Sequence, residues 1–220
     1  MNSETHAAAS TEPAGHDDPF AGHRPDDDVV AEARTRAAEL RCTAVGQQTA
    51  AMLRFLACAL RARAVVELGT GAGVSGLHLL RGMPAEGVLT SIDIEGECQR
   101  QARRGFADAG FAPGRTRLIT GQALEVLPRF TAGGYDLVFV DAAEVEYPHY
   151  YEQGVPLLRP GGVIAFHHAT DQTPAGDGAG ARPGTRALRE LARVVRRDER
   201  LVTTSLPRDT GLLLATRTGH

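Results

Sequence analysis

The sequence predicts an α/β fold: a mostly parallel, seven-stranded sheet with helices on both faces and a C-terminal antiparallel hairpin. Short apolar and β-branched runs alternate with helix-length segments along most of the chain. These runs show no polar–apolar alternation, which is typical of strands buried on both faces. The last two runs, 201–206 and 212–216, are separated by five residues, too few for a crossover helix. Together the pattern predicts five βα units closed by a hairpin.

Two helices are predicted before the first strand. Three consecutive acids, Asp26, Asp27 and Asp28, favour a helix N-terminus because they complement the helix dipole, and apolar residues follow at helical spacing. A second helix is predicted over about 47–60. Residues 1–28 carry seven acidic side chains against one arginine. They are predicted to form a flexible acidic tail before a single domain, 29–220.

The remaining elements follow in strict order. The predicted parallel strands are 64–68, 88–92, 117–120, 137–140 and 163–166. The helices predicted after them are 74–81, 97–109, 123–129, 147–158 and 185–197. No internal repeat or second domain is indicated.

The basic residues exclude several enzyme classes. All 24 are arginine, and the chain contains no lysine. A Schiff-base enzyme, a P-loop NTPase and a lysine general base are therefore excluded.

Charge and hydropathy limit the partners. The net charge of -3 argues against a nucleic-acid binder, which needs a basic surface. No apolar run reaches membrane-spanning length, so no membrane partner is expected. The first ten residues lack the basic and apolar regions of a secretory signal, which predicts a cytoplasmic protein. Cys42, Cys58 and Cys98 are widely spaced and are predicted to be free thiols.

The most informative segment joins the first strand to the next helix. It reads Val-Val-Glu-Leu-Gly-Thr-Gly-Ala-Gly-Val-Ser-Gly over 65–76. Glycines let the backbone turn sharply and approach a ligand, and a helix N-terminus offers N–H groups to an anion. The spacing also matches the dinucleotide fingerprint, a weak signal alone.

Two acids refine that interpretation. Asp93 ends the second strand, where a carboxylate can accept hydrogen bonds from ribose hydroxyls. Glu67 lies at the end of the first strand and favours a ligand with a cationic group. The sequence therefore predicts a nucleoside-cofactor site.

Four motifs in order resemble those of class I S-adenosylmethionine-dependent methyltransferases, and more narrowly the catechol and caffeoyl-CoA O-methyltransferase group with its bacterial relatives. They are the segments 67–73 (ELGTGAG), 91–93 (SID), 135–141 (YDLVFVD) and 157–162 (LLRPGG). The resemblance covers about 29–217. It implies a Rossmann-like methyltransferase fold, S-adenosylmethionine as cofactor, a small-molecule acceptor and a homodimer.

The resemblance also implies roles for individual residues. Glu67, Gly69 and Thr70 would lie beside the methionyl part of the cofactor, with Gly71 and Gly73 in the same loop. Ser75 would meet its carboxylate, and Asp93 the ribose hydroxyls. The adenine and pocket contacts would come from Ile94, Gln122, Ala123 and Val45, and Asp141 would border both cofactor and acceptor.

The acceptor side departs from the family pattern. Metal-dependent relatives end the fourth strand in Asp-Ala-Asp-Lys, where this chain has Asp141-Ala142-Ala143-Glu144. Their fifth strand ends in Asp-Asn, where this chain has His167-His168. Two imidazoles are poor ligands for Mg²⁺, which prefers oxygen.

Two mechanisms remain open at this point. In the favoured one no metal is bound: Asp141 orients the acceptor, and His167 or His168 acts as general base. In the other, Asp141, His167 and His168 form a rebuilt site for a divalent ion such as Fe²⁺, Zn²⁺, Co²⁺ or Ni²⁺. Neighbouring strand residues point to opposite faces, so this site requires a turn at the histidines.

The expected function is O-methylation of a small phenolic or natural-product-like acceptor. A nicotinamide-dependent dehydrogenase is an alternative that rests only on the glycine fingerprint. A cofactor-binding relative without catalysis, serving regulation or assembly, is a third possibility, suggested by the altered metal motif.

Overall fold

The computed structural model describes residues 26–169, 183–207 and 211–219. Most of the predicted acidic tail lies outside these residues. The helices are α1 Asp28–Glu39, α2 Gln47–Ala59, α3 Val74–Gly82, α4 Gly96–Asp108, α5 Ala123–Val126, α6 Tyr147–Leu157 and α7 Pro183–Val195. The strands are β1 Ala64–Leu68, β2 Val88–Asp93, β3 Thr116–Thr120, β4 Tyr135–Val140, β5 Leu158–His167, β6 Leu201–Leu206 and β7 Leu212–Arg217.

The seven strands form one sheet in the order β3-β2-β1-β4-β5-β7-β6. The first five strands pair in parallel, and β7 runs antiparallel to both β5 and β6. The predicted sheet and hairpin are therefore confirmed. Chain order reverses between β1 and β4, the place where open α/β sheets bind ligands beyond their carboxyl ends.

Both faces of the sheet are buried. Val65 and Val66 are neighbours in β1 and both 0% exposed, yet they belong to different hydrophobic clusters. Val65 packs with Leu53 and Leu77 on the face covered by α2 and α3. Val66 lies in the cluster that contains Tyr147 and Leu188, from α6 and α7. Side chains of a strand alternate between faces, so the unbroken apolar run supplies two cores.

The acids before α1 tie this helix to the body of the domain. The Asp27 side chain accepts a hydrogen bond from the Val30 N–H at 3.1 Å, capping α1. Asp26 pairs with Arg34 at 2.5 Å, and Asp27 pairs with Arg81 of α3 at 2.7 Å. The chain just before α1 is thereby held against α1 itself and against α3.

The main difference from the predicted elements is the start of β5, at residue 158 rather than 163. Its pairing with β4 shifts register between Tyr135 and Leu137, which face Leu158 and Val163. The extra residues include Pro160 and Gly161, whose φ is +76°. Because proline and glycine interrupt the apolar run, a search for continuous apolar residues does not recognise this part of the strand.

None of the helices in these ranges combines the length and apolar character needed to cross a bilayer.

Candidate active site

Two adjoining cavities open at the carboxyl ends of the strands. One has a volume of about 740 Å³ and lies between the glycine loop after β1, the chain between α1 and α2, and His168. The other, about 490 Å³, lies between the ends of β2, β3 and β4. Gly69, Asp93, Glu95, Asp141 and Ala142 line both, so the two form one continuous cleft.

Gly69 brings the glycine loop against the end of β4. Its φ is +94°, and a Cβ there would overlap the carbonyl oxygen of Asp141 and lie 2.8 Å from its carbonyl carbon. The Asp141 N–H donates to the Leu68 carbonyl at 2.8 Å. Only glycine combines this backbone conformation with so close an approach. Gly73 (φ +91°) instead packs against α4, where a Cβ would lie 2.9 Å from that of Ala102.

Asp93 holds the glycine loop from the side of β2. Its Oδ2 accepts hydrogen bonds from the N–H groups of Thr70 at 2.8 Å and Gly71 at 2.9 Å. Its Oδ1 accepts from the Glu95 N–H at 2.9 Å. Since each carboxylate oxygen has two lone pairs, Asp93 can still accept from a ligand in the cleft.

Glu67 is a fully buried acid beneath the glycine loop. Its Oε2 accepts from the Ser91 hydroxyl at 2.6 Å. Its Oε1 is buried and makes no hydrogen bond of good geometry within the described residues. Burial raises the pKa of the Glu67 carboxyl to about 7; the Ser75 and Ser91 hydroxyls oppose the rise, and the charges of Asp141 and Asp93 add to it. A cation placed beside Glu67 would satisfy its unpaired oxygen and favour ionisation.

Other residues predicted to contact a cofactor lie around the same cleft. Val45, Thr70, Gly71 and Ser75 line the larger cavity. Ile94, Gln122 and Ala123 line the smaller one, and Ile94 is 66% exposed. The fold therefore brings these positions together from four separate stretches of chain.

Asp141, His167 and His168 converge at one end of the cleft. The His167 Nδ1 lies 2.8 Å from the Asp141 Oδ1, and the His168 Nε2 lies 3.7 Å from the same oxygen. The two imidazole rings are 4.2 Å apart between centroids. His168 has φ +52°, so the chain turns directly after β5. That turn lets two adjacent side chains share one carboxylate, which a regular strand would prevent.

The two histidines have different surroundings. The His167 side chain is 3% exposed, and its carbonyl accepts a hydrogen bond from the buried Tyr147 hydroxyl at 2.8 Å. The His168 side chain is 27% exposed and lines the larger cavity. Burial and the neighbouring His167 lower the pKa of His168, while Asp141 and Glu144 oppose this shift. His168 is therefore neutral near pH 7 and can accept a proton.

The donor set at this end does not suit Mg²⁺. One candidate ligand atom from each of Asp141, His167 and His168 lies within 4.8 Å of the others, giving one oxygen and two nitrogens. Mg²⁺ requires mostly oxygen ligands, whereas Zn²⁺ or Fe²⁺ accepts this combination.

Glu144 lines the larger cavity and packs against the start of α7, where a Cβ on Gly184 would collide with its Oε2.

The prediction of three free thiols is wrong. Cys42 and Cys98 form a disulfide, while Cys58 is a free, exposed thiol. The two bonded cysteines are 56 residues apart in sequence, and neither position has a motif that indicates pairing. The fold brings the chain after α1 over the start of α4. Both cysteines line the larger cavity, as do Thr43 and Glu95, which sequence reasoning also missed.

Comparison with known proteins assigns the family. The family model described as O-methyltransferase matches residues 26–218. A protein from Mycolicibacterium vanbaalenii, whose name assigns it to the O-methyltransferases, is 50% identical over 192 residues, covering 87% of this chain and 85% of its own.

Two solved structures are similar in fold and sequence. A protein from Corynebacterium glutamicum superposes with a TM-score of 0.84 at 31% identity, covering 91% of this chain and 94% of its own. The O-methyltransferase TomG from Streptomyces achromogenes, involved in tomaymycin synthesis and solved with S-adenosylmethionine, gives 0.82 at 28% identity, covering 89% and 92%. With the sheet order, the cleft and these matches in agreement, the chain belongs to the O-methyltransferase family.

Proposed function

We propose that the protein transfers a methyl group from S-adenosylmethionine to the oxygen of a small, phenolic or natural-product-like acceptor, without a metal and with a histidine as general base. The observation that carries the proposal is the cluster of Asp141, His167 and His168 at the end of the cleft. The family match favours methyl transfer over the nicotinamide alternative.

The cleft offers suitable groups for each part of the cofactor. Asp93 lines both cavities and would accept from the ribose hydroxyls. Glu67 lies beneath the glycine loop, 0% exposed, and would pair with the amino group from there through its unpaired Oε1. Ile94, Gln122 and Ala123 would surround the adenine in the smaller cavity. The cofactor, when bound, supplies an electrophilic methyl on a sulfonium centre. The TomG structure holds this cofactor in the same fold.

At the acceptor end we assign His168 as the base and His167 as the residue that positions it. His168 faces the cavity and is neutral near pH 7, so it can take a proton from an acceptor hydroxyl. His167 is held by Asp141 on its ring and by Tyr147 on its carbonyl. The protein thus aligns the acceptor oxygen with the methyl group and removes its proton.

Replacing His168 by alanine should lower kcat about 100-fold, because proton removal by a positioned base contributes roughly that much. His167→Ala should lower kcat by a smaller factor. Cofactor affinity should change little in either variant. The measurement is turnover on a panel of catechols and related phenols, alongside calorimetric binding of S-adenosylmethionine. The exposed His149→Ala is the matched control. Undiminished turnover in both variants would contradict the histidine base.

A metal-dependent reaction at the same residues is the second candidate, favoured by the close approach of the three ligand atoms. Asp141, His167 and His168 would hold the ion, which would act there as a Lewis acid. The same turnover assay with and without EDTA separates the two candidates: chelation leaves the proposed reaction unchanged and abolishes the metal-dependent one. Cofactor binding without turnover on any acceptor would instead favour the non-catalytic relative.

Cofactor binding should release a proton at pH 6 and this release should depend on Glu67. The raised pKa, about 7, keeps the free carboxyl mostly protonated at that pH. The cofactor's ammonium group favours the ionised form, so the bound state carries roughly one proton fewer. Calorimetry in two buffers of different ionisation enthalpy measures this release.

Glu67→Gln should abolish the proton release and weaken binding about tenfold or more, since a charge-assisted hydrogen bond is lost. Glu86→Gln, at an exposed acid paired with Arg63, is the control and should release the proton as the wild type does. Equal proton release in the Glu67→Gln protein would assign the proton to another group.

The homodimer and the cytoplasmic location stay predictions.

A further inference from the structure

The disulfide between Cys42 and Cys98 joins two walls of the cofactor cleft. Cys42 lies in residues 40–46, the α1–α2 segment, which follows α1 and contributes Leu40 through Val45 to the larger cavity. Cys98 is 5% exposed and lies in the first turn of α4, five positions after Asp93 at the end of β2. The sulfur–sulfur bond therefore connects the α1–α2 segment to the side of the cleft that carries the ribose-binding carboxylate.

The α1–α2 segment is anchored at its ends by non-covalent contacts. The Cys42 N–H donates to the Ala37 carbonyl at 2.9 Å, at the end of α1. The Arg34 guanidinium donates to the Val45 carbonyl at 2.6 Å. Between these anchors the Thr43 carbonyl oxygen comes within 3.9 Å of where a Cβ on Gly71 would lie. The segment thus lies over the glycine loop, and the disulfide holds its first half against α4.

We propose that Cys42 and Cys98 are a thiol–disulfide exchange site that controls passage of the cofactor into and out of the cleft. With the disulfide formed, the α1–α2 segment is fixed as a wall of the cavity and the cofactor exchanges slowly. With both thiols free, Thr43 and Ala44, which lie between the Cys42 and Val45 anchors, can move away from the cleft, and exchange is fast. The inference rests on the cofactor site assigned under the proposed function.

The exchange partner is a small-molecule disulfide. The thiolate of one cysteine attacks a sulfur of that disulfide, forming a mixed disulfide and releasing one small thiol. The second cysteine then attacks the sulfur of the first and displaces the second small thiol. The protein loses two electrons and two protons in total, and the small disulfide gains both. Excess small thiol reverses the reaction.

The experiment uses the full chain equilibrated with oxidised or with reduced glutathione. Mass spectrometry after alkylation should find three modified cysteines in the reduced protein and only Cys58 modified in the oxidised protein. Radiolabelled S-adenosylmethionine is then bound and chased with unlabelled S-adenosylhomocysteine. Its dissociation from the oxidised protein should be slower by about tenfold or more, as expected when a covalent link restrains a lid segment.

Variants separate this role from a purely structural one. Cys42→Ser and Cys98→Ser should each exchange the cofactor at one rate in both glutathione buffers. Cys58→Ser, at the exposed free thiol, should keep the redox dependence of the wild type. The oxidised wild type should also melt about 10 °C higher than the reduced form, because the link constrains a long loop of the unfolded chain.

Two results would overturn the proposal. One is failure of Cys42 and Cys98 to pair in oxidised glutathione, with both remaining open to alkylation. The other is pairing, with the expected rise in melting temperature, but equal cofactor dissociation in both states, which would make the disulfide structural only. Equilibrium binding of the cofactor to the reduced protein tests the proposed function separately, since that measurement needs no disulfide.

Discussion

Replacing Asp141 by asparagine should lower kcat about 1000-fold, within the range that a positioned acid–base group contributes. The carboxylate hydrogen-bonds the His167 ring at 2.8 Å and places a negative charge 3.7 Å from the His168 Nε2, so it orients one imidazole and acts electrostatically on the other. Asparagine keeps the size and removes the negative charge. The variant should fold normally, because the contact of residue 141 with β1 is made by its backbone N–H.

The pH profile gives a second readout of the same change. A base must be neutral to accept a proton, so activity should rise with pH as His168 loses its proton. The Asp141 charge opposes the downward shift in the pKa of His168. Its removal should lower that pKa further and move the rising limb to lower pH, although the maximum is much reduced.

Asp108→Asn is a suitable control for this experiment, because Asp108 is an exposed carboxylate at the end of α4. It should keep the wild-type kcat, and its activity should rise over the same pH range as that of the wild type. Two results would show that the carboxylate does not act on the histidines. One is a near-normal kcat in the Asp141→Asn protein, and the other is a rise in its activity at higher pH than in the wild type.

Replacing Gly69 by alanine should destabilise the fold by about 4 kcal/mol and lower Tm by about 10 °C. Two effects add: a left-handed backbone, φ +94°, that alanine rarely adopts, and a methyl group that overlaps the Asp141 carbonyl. Neither β1 nor β4 can withdraw cheaply, since both are paired on each side within the sheet. Cofactor affinity should fall more than 100-fold because the glycine loop lines both cavities.

Gly110→Ala isolates the backbone contribution. Gly110 has φ +80°, and no atom lies within 4 Å of where its Cβ would be. This variant should lose about 1 kcal/mol and bind the cofactor normally. Thermal melting and calorimetric binding of both variants measure the difference. Equal losses of stability in the two would mean that contact with Asp141 is unimportant.

Much of the fold could be predicted because each βα unit is locally encoded. The runs in β1 and β4 are apolar on both faces, and each is bounded by glycine or by an acid. The start of β5 could not be predicted. Its first residues, Leu158 to Gly162, contain a proline and two glycines, and they join the sheet only because β4 lies beside them.

The residues proposed to bind the cofactor could be placed at one edge of the sheet for a related reason. Glu67, Gly69 and Asp93 each lie at or just past the end of a strand, and the carboxyl ends of parallel strands meet at one edge. Residues that a sequence motif places at the ends of parallel strands are therefore also close together in space. Two of the three N–H groups that donate to Asp93 belong to the glycine loop, and these contacts follow from the same arrangement.

By itself, the sequence predicted the succession of βα units with a closing hairpin and the edge of the sheet proposed to bind the cofactor, because these depend on residue type and local periodicity. The family resemblance added the loss of a Mg²⁺-type ligand set. The tertiary structure decided three other features. It placed His167 and His168 on one carboxylate through the turn at φ +52°, separated their exposures, and brought Cys42 to Cys98 across 56 residues. Each depends on how distant segments pack together, and no local pattern records that packing.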